Sequence, residues 1–433
     1  MTRISTNNQL FVKTFRQTVA VFVGILLLLI SLTWLQGPRI RSAIIDAGRV
    51  TVLPNQRLSL HANESIGAPA TKQVTVTPAV RFVASSGGNT VVLQFNEPLH
   101  FATRYRVAIH AGKHVIDYSF TTKPAVVYYA VNTGENSEIH ARTLPAGKDK
   151  VVFAGGAVDD FAVLGNNLVL NLKYKNDTNL LTMFDMVTEQ PAQIALPASG
   201  SIEHLRIAPD RQSFGFLFTA SEALSPVNRN LMLYRLSGNQ LTSVTGFDNK
   251  PVETLDWRYA ADSNTILDQQ MDSNVLLLSP KHPPVPLGQF SSIFGLSYDS
   301  TNIVLGQLMT GIVSMNIQTS RRTMLPQPSR TGEYLVVADP LRTRKGYLLH
   351  TQTIDDRGSS QQLIVERNGK QQKIYSINNL DAYITHVDMS VNDQMAAVSK
   401  NDTPDNTPNT DVIDTYTGKK VVTLPGNIVR WQQ

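Results

Sequence analysis

The chain has 433 residues, a formal net charge of +5, a charged fraction of only 17% and no cysteine. That length fits two or three domains, or one large repeat fold with additions. The lack of cysteine excludes disulfides, thiolate metal sites and thiol nucleophiles. The mild charge lacks the concentrated basic stripe of a nucleic-acid-binding surface, so no nucleic-acid partner is expected.

Residues 17–38 carry no charge and centre on Val21, Ile25 and the leucines 26–29. A helix of this length spans roughly 33 Å, enough for a hydrocarbon core. Trp34 stands where an interfacial aromatic belongs. A cleaved signal peptide would show a shorter apolar run and a small-x-small site, which 31–37 does not offer. A buried core helix would show a polar face. The expectation is an uncleaved single-pass anchor at 17–37, after a short cytoplasmic tail at 1–16 that carries Arg3, Lys13 and Arg16 without an acid. Arg39, Arg41 and Arg49 follow the span, so the charge asymmetry that orients it is small. The C-terminal bulk is placed outside the cytoplasm.

A linker is expected at 38–46, and then seven short alternating runs at 50–53, 57–60, 74–76, 80–83, 90–95, 105–109 and 118–121. Turn residues at Pro54-Asn55, Pro78, 85–89 and Ala111-Gly112 separate them. They predict an antiparallel β-sandwich over 47–123, with Tyr105, Val107 and Ile109 facing its core. Phe95, Pro98, Leu99, Thr103, Tyr105 and Val107, followed by Tyr118, Phe120 and Thr122, resemble the core pattern of bacterial Ig-like domains. The resemblance implies an extracytoplasmic spacer or adhesion fold without catalysis. His100, His110 and His114 lie close in sequence but need not converge in strands and turns, so surface or turn histidines are preferred to a metal site.

From residue 124 a short apolar–variable–apolar pattern recurs about every 40–50 residues, at 161–163, 205–207, 255–257, 296–298, 336–338, 387–389 and 429–431. Each period parses as four strands. Such a period marks a β-propeller, because one blade cannot cover both of its own faces. The first three strands after residue 124 lack an innermost partner and the last strand, 427–431, has nothing after it. Joining them completes a seventh blade. The fold class is therefore all-β: a single transmembrane helix, an Ig-like sandwich and a seven-bladed propeller over 124–433. Ala208-Pro209-Asp210 resembles a turn of TolB-like and WD-repeat-like propellers. Asp210, Asp299 and Asp393 follow inner strands and read as Asx-turn residues.

The middle residues Arg206, Asp256, Asp388 and Arg430 alternate in sign, which predicts cross-blade pairs Arg206–Asp256 and Asp388–Arg430 near the channel. Arg342, Arg344 and Lys345 form a basic loop suited to an anionic polymer. The segment 401–411 is oxygen-rich but lacks the EF-hand order, and is read as a solvated loop. No nucleophile elbow, zinc motif, P-loop or dinucleotide fingerprint appears, so no catalytic, cofactor or metal residue is assigned. The expected function is non-catalytic binding or scaffolding at a cell membrane, by the propeller face, with an unidentified protein or polysaccharide partner. A hydrolase or lyase at the channel mouth and an envelope-assembly accessory are the alternatives.

Overall fold

A computed structural model describes residues 5–36, 39–66, 73–111, 114–174, 178–221, 228–260, 262–307, 311–326, 332–355, 358–377, 382–402 and 407–432. The chain divides into two compact units. One comprises Met1–Val50, Pro54–Glu97 and Arg104–Thr121; the other comprises Thr51–Leu53, Pro98–Thr103 and Thr122–Gln433.

The first unit opens with one helix, Ser5–Gln36. Within it, Phe11–Leu29 is long and apolar enough to cross a membrane. The helix therefore takes in most of the segment expected as a tail. Two sheets follow. One orders Ile40–Ile44, Gln56–Ala62, Thr90–Phe95 and Phe82–Gly87; the other orders Val74–Thr77, Arg104–Ala111 and His114–Thr121. Several local expectations fail here: the strand expected at 80–83 starts only at Phe82 and runs to Gly87, through most of the turn expected at 85–89. The expected linker at 38–46 contains the strand Ile40–Ile44, paired to Gln56–Ala62. The expected strand at 50–53 begins instead as a single 3-10 turn, Arg49–Thr51, whose start is capped by Asp46 accepting from the Gly48 and Arg49 amides. An apolar tetrapeptide alone does not distinguish these outcomes; the Asp46 cap does. Tyr105, Val107 and Ile109 are buried on alternate positions, with Tyr105 stacked on Phe120 at 5.6 Å between centroids.

Among the described residues of the second unit, seven four-stranded antiparallel sheets succeed one another. Counting from the one opened by Val158–Leu164, their inner strands are Val158–Leu164, Gly200–Ile207, Thr254–Tyr259, Ser292–Leu296, Glu333–Pro340, Ala382–Met389 and Val429–Trp431. The seventh blade is built from both ends of the unit: Val429 pairs with Tyr129, Arg430 with Tyr128 and Trp431 with Val127.

Strand alternation explains why the ring holds. Successive side chains leave opposite faces of a strand, so each blade contributes to two cores. Leu168 and Leu170 pack toward blade seven with Tyr128, Ala130 and Phe161. Val169 between them packs toward blade two with Ile202, Phe214 and Phe216. Likewise Ile303 and Leu305 join blade three, and Val304 joins blade five. The cluster of Met395, Ala397, Val412, Leu424, Val429, Trp431 and Val127 seals blade six to seven.

Candidate functional site: the charged inner ring

Six of the seven inner strands carry a register break against their second strand, and the breaks occur at matching positions. They fall between Val158 and Asp160, Glu203 and Arg206, Thr254 and Asp256, Ile293 and Gly295, Leu335 and Val337, and Ile384 and His386. A bulge bends a strand and re-aims the side chain that follows it. The residues after these breaks, and those two further on, supply most of the ring: Asp160, Arg206, Asp256, Arg258, Asp339, His386 and Asp388. Arg430 comes from the short seventh strand.

These groups converge. Asp339 of blade five is within electrostatic reach of Arg258, Arg342, Asp388 and Arg206, which come from four different blades or their loops. His386 likewise senses Asp388, Arg430, Arg206 and Asp160.

Asp256 is the most heavily partnered member. Its Oδ1 lies 2.7 Å from Arg258, 3.0 Å from Arg206 and 3.1 Å from His204 Nδ1, and it also accepts from the Trp257 amide at 2.8 Å. Burial pushes its pKa up, but the His204 hydrogen bond and the Arg258 and Arg206 guanidiniums outweigh that, so its carboxyl titrates well below the ordinary range. Arg206 is lowered, first by burial and then by the neighbouring Arg258 charge.

The structure thus brings Arg206 and Asp256 together across blades two and three. It does not join Asp388 to Arg430. Arg430 Nη2 instead donates to Asp160 at 2.5 Å, and Arg430 Nε donates to the Phe161 carbonyl at 3.0 Å, both on blade one. Asp388 Oδ1 sits 3.9 Å from Arg342 Nη2. Its backbone carbonyl accepts from the Trp431 indole at 3.1 Å. Seen around the ring, Arg430 has a carboxylate on each side, and the bulge at Asp160 brings the one on blade one into hydrogen-bonding position.

The basic loop is split by its environment. Arg342 joins the ring through Asp388. Arg344 lies over the Tyr416 ring at 5.6 Å, with Arg367 on the same ring at 4.0 Å. Lys345 is exposed. The loop is pinned by Asp393, whose carboxylate accepts from the Arg342 amide at 3.0 Å and the Thr343 amide at 2.7 Å. Asp393 therefore caps a loop of the neighbouring blade rather than its own turn. Asp210 and Asp299 cap their own turns, accepting from the amides of Gln212 and Thr301.

Of the three clustered histidines, His100 Nε2 is 3.1 Å from the Tyr416 hydroxyl, while His110 and His114 are exposed. Residues 403–406 of the oxygen-rich segment lie outside the described residues. Asp411 at its end is buried, accepting from Tyr375 at 2.8 Å and facing Lys420 at 3.4 Å. Among the described residues no group of three or more His, Asp or Glu is arranged to hold a metal ion.

Beside the ring, a pocket of about 430 Å³ opens at blades six, seven, one and two, between His386, Arg430, Asp160, Asn171 and Glu203.

No family model matches this chain and no curated protein matches it. Solved structures do match. A prolyl endopeptidase is similar at 11% identity over 76% of this chain and 49% of its own, with a TM-score of 0.51. This chain thus spans about half of that protein's length. An oligogalacturonate lyase in complex with manganese matches at 9% identity over 68% of this chain and 83% of its own, with a TM-score of 0.48. The Cps50 (Swd1) β-propeller domain of Myceliophteria thermophila matches at 10% over 63% and 87%, with a TM-score of 0.43. The fold of the second unit is a β-propeller, and these neighbours differ in function.

Proposed function

We propose that this is a membrane-anchored, extracytoplasmic binding or scaffold protein that engages a protein or envelope polymer through its propeller, without catalysis of its own. Helix Ser5–Gln36 would hold it at the bilayer. The two sheets of the first unit would act as an Ig-like spacer. Anchoring raises the local concentration of a binding face at the membrane.

The observation that carries this reading is how the ring spends its charge. Asp160 is tied to Arg430, Asp256 to Arg206 and Arg258, and Asp388 faces Arg342. Four ring carboxylates meet four guanidiniums, and three of those carboxylates are engaged. Acid–base catalysis needs a group whose proton is free to move. A neutralised, cross-braced ring instead makes a rigid, preorganised face.

A photo-crosslinking residue at the exposed Leu255 or Val336, in the full chain in its native membrane, tests the reading. Adducts with one partner that persist in Asp339→Asn are the expected result. A second reading, a hydrolase or lyase, draws on Asp339. It has no ion pair among the described residues, and burial, opposed by Arg258 and Arg342, leaves it at about 6. Turnover of an envelope glycan that disappears in Asp339→Asn, without partner adducts, would replace the binding reading with this one.

A further inference from the structure

The pocket beside the ring has an uneven distribution of unused hydrogen-bonding capacity. Its charged groups are all engaged. Asp159 faces Lys173 at 3.3 Å, Asp160 holds Arg430, Glu203 holds Arg229, and His204 meets Asp256 at 3.1 Å. Its neutral groups are not. Asn171 is only 1% exposed; its amide nitrogen donates to the Ile202 carbonyl at 3.1 Å, and its Oδ1 has no partner among the described residues. A buried acceptor left unmade is costly, and a native protein rarely carries one without a use for it. His386 makes no hydrogen bond among the described residues. Although the residue is exposed, desolvation by the surrounding ring lowers its pKa, with Arg430 and Arg206 adding to the effect against Asp388 and Asp160. Its neutral ring offers one donor and one acceptor. The side-chain amide of Asn427 is exposed on the same wall and is also unengaged. Ile428, half-buried, supplies apolar surface between these groups.

We infer that this pocket binds a neutral, polyhydroxylated ligand, a saccharide unit of a glycan, with Asn171, His386 and Asn427 as its hydrogen-bonding partners. An anion would meet a wall whose arginine already holds a carboxylate, and a cation would compete with Lys173 and Arg229 for acids already paired. A hydroxyl donates and accepts at one atom. Vicinal hydroxyls therefore satisfy the Asn171 carbonyl, the His386 ring and the Asn427 amide together, while the sugar's C–H face lies on Ile428. A pocket of about 430 Å³ has the size of a small-ligand site. The inference rests on the binding reading above and narrows its polymer to an uncharged glycan.

The test is calorimetric titration of the full chain in nanodiscs free of sugar detergent. The probes are N,N′-diacetylchitobiose, lactose and trehalose; digalacturonate and spermidine are the charged controls, and a neutral tripeptide is the peptide control. At least one neutral saccharide should saturate below about 10 mM, weak binding of a few kcal/mol being ordinary for a single unit. Asn427→Ala and His386→Phe, at solvent-facing positions, should each weaken it about five- to tenfold, the worth of one hydrogen bond. Asn171→Leu should abolish it, with an unchanged melting profile reporting that the blade remains folded. Saturation by none of the neutral sugars, tighter binding of a charged control or of the peptide, or indifference to Asn427→Ala and His386→Phe together would overturn the inference. Partner adducts at Leu255 or Val336 that survive such a failure would leave the binding reading standing.

Discussion

Removing the Trp431 side chain measures how much the ring depends on its closing strand. Val429–Trp431 is only three residues long, and besides its ladder it is held by Ala130 donating to the Ile428 carbonyl and Gln432 donating to the Val126 carbonyl, both at 3.0 Å. So short a strand is positioned chiefly by its side chains. Trp431 is 2% exposed, packs among Val412, Leu424 and Tyr129, and donates its indole N–H to the Asp388 carbonyl. Truncating a buried tryptophan to alanine costs about 3–5 kcal/mol, and the orphaned carbonyl lies within that figure. A domain's whole stability is about 5–15 kcal/mol, so Trp431→Ala should leave the propeller marginal. Trp431→Phe keeps most of the apolar contact and should lose about 1–2 kcal/mol. Urea unfolding of the full chain in nanodiscs gives the magnitude. Hydrogen exchange gives the location: protection should fall first in Val126–Thr133, the strand that receives Val429–Trp431, while Ile266–Gln270 in blade three keeps its own. A loss below about 1 kcal/mol, or an equal loss of protection in both strands, would refute the claim that the blades are stabilised by closure.

Asp256 and Arg206 should behave unequally although they form one pair. Arg206→Ala leaves Asp256 with Arg258 and His204 and should cost under about 1.5 kcal/mol, whereas Asp256→Asn strands three cationic or basic groups and should cost about 2–4 kcal/mol, discounted for its partial exposure. Because its folded pKa is depressed, Asp256 stabilises fully above the unfolded value near 3.8 and loses that contribution as pH falls through the folded one. Thermal melts between pH 2 and 5 should therefore show a shallower acid limb in Asp256→Asn. Asp268 has the opposite sign. It is fully buried, accepts from Thr254 at 2.6 Å through Oδ1, and has no partner at Oδ2 among the described residues. Burial, offset by Thr254 and reinforced by Asp256, pushes it up to about 7. The unfolded carboxyl ionises near pH 4 while the folded one stays protonated, so stability falls as pH rises from about 4 to 7 and then levels off. Asp268→Asn should remove that slope and gain up to a few kcal/mol at pH 8 relative to the parent, measured by urea midpoints. Deleting Ser5–Gln36 should move the protein from the membrane to the soluble fraction, and protease shaving of intact cells that carry the full chain reads which side holds the propeller.

The period of the propeller is visible in sequence because its cause is burial. A blade must cover two faces, so apolar pairs return once per blade, and the inner strands fall on all seven motifs, the one at 296–298 beginning on the last residue of its strand. The ring was only half legible, and the missing half follows a rule. Asp160, His204, Arg258, Asp339 and His386 each lie two residues from the middle of a motif, at 162, 206, 256, 337 and 388. On a strand, residues two apart share a face. Extending each motif by one step along its own face would have found four of them, and with them the partner that Arg430 takes; His204 lies inside the break between Glu203 and Arg206 and falls outside that rule.

The register breaks are what the sequence conceals. A bulge adds one residue without changing composition, and Leu255, Phe294, Val336 and Thr385 at the bulged positions have no residue type in common. Yet the breaks recur around the ring, four of the six just before a charged or histidine residue, Asp160, Arg206, Asp256 and His386. A flat inner strand would keep strict alternation, so the side chains flanking Trp257 or Phe161 would stay in the plane set by the blade cores. The added residue twists the strand locally and lets Asp256 and Asp160 meet guanidiniums on other blades while Trp257 and Phe161 remain fully buried. Inter-blade ion pairing and close inter-blade packing compete for the same short strand, and the bulge is the device that satisfies both. Deleting the bulged Leu255 should accordingly force a trade: Trp257 keeps its buried place while Asp256 moves out of reach of Arg206, so the acid limb of its thermal melts should match that of Asp256→Asn.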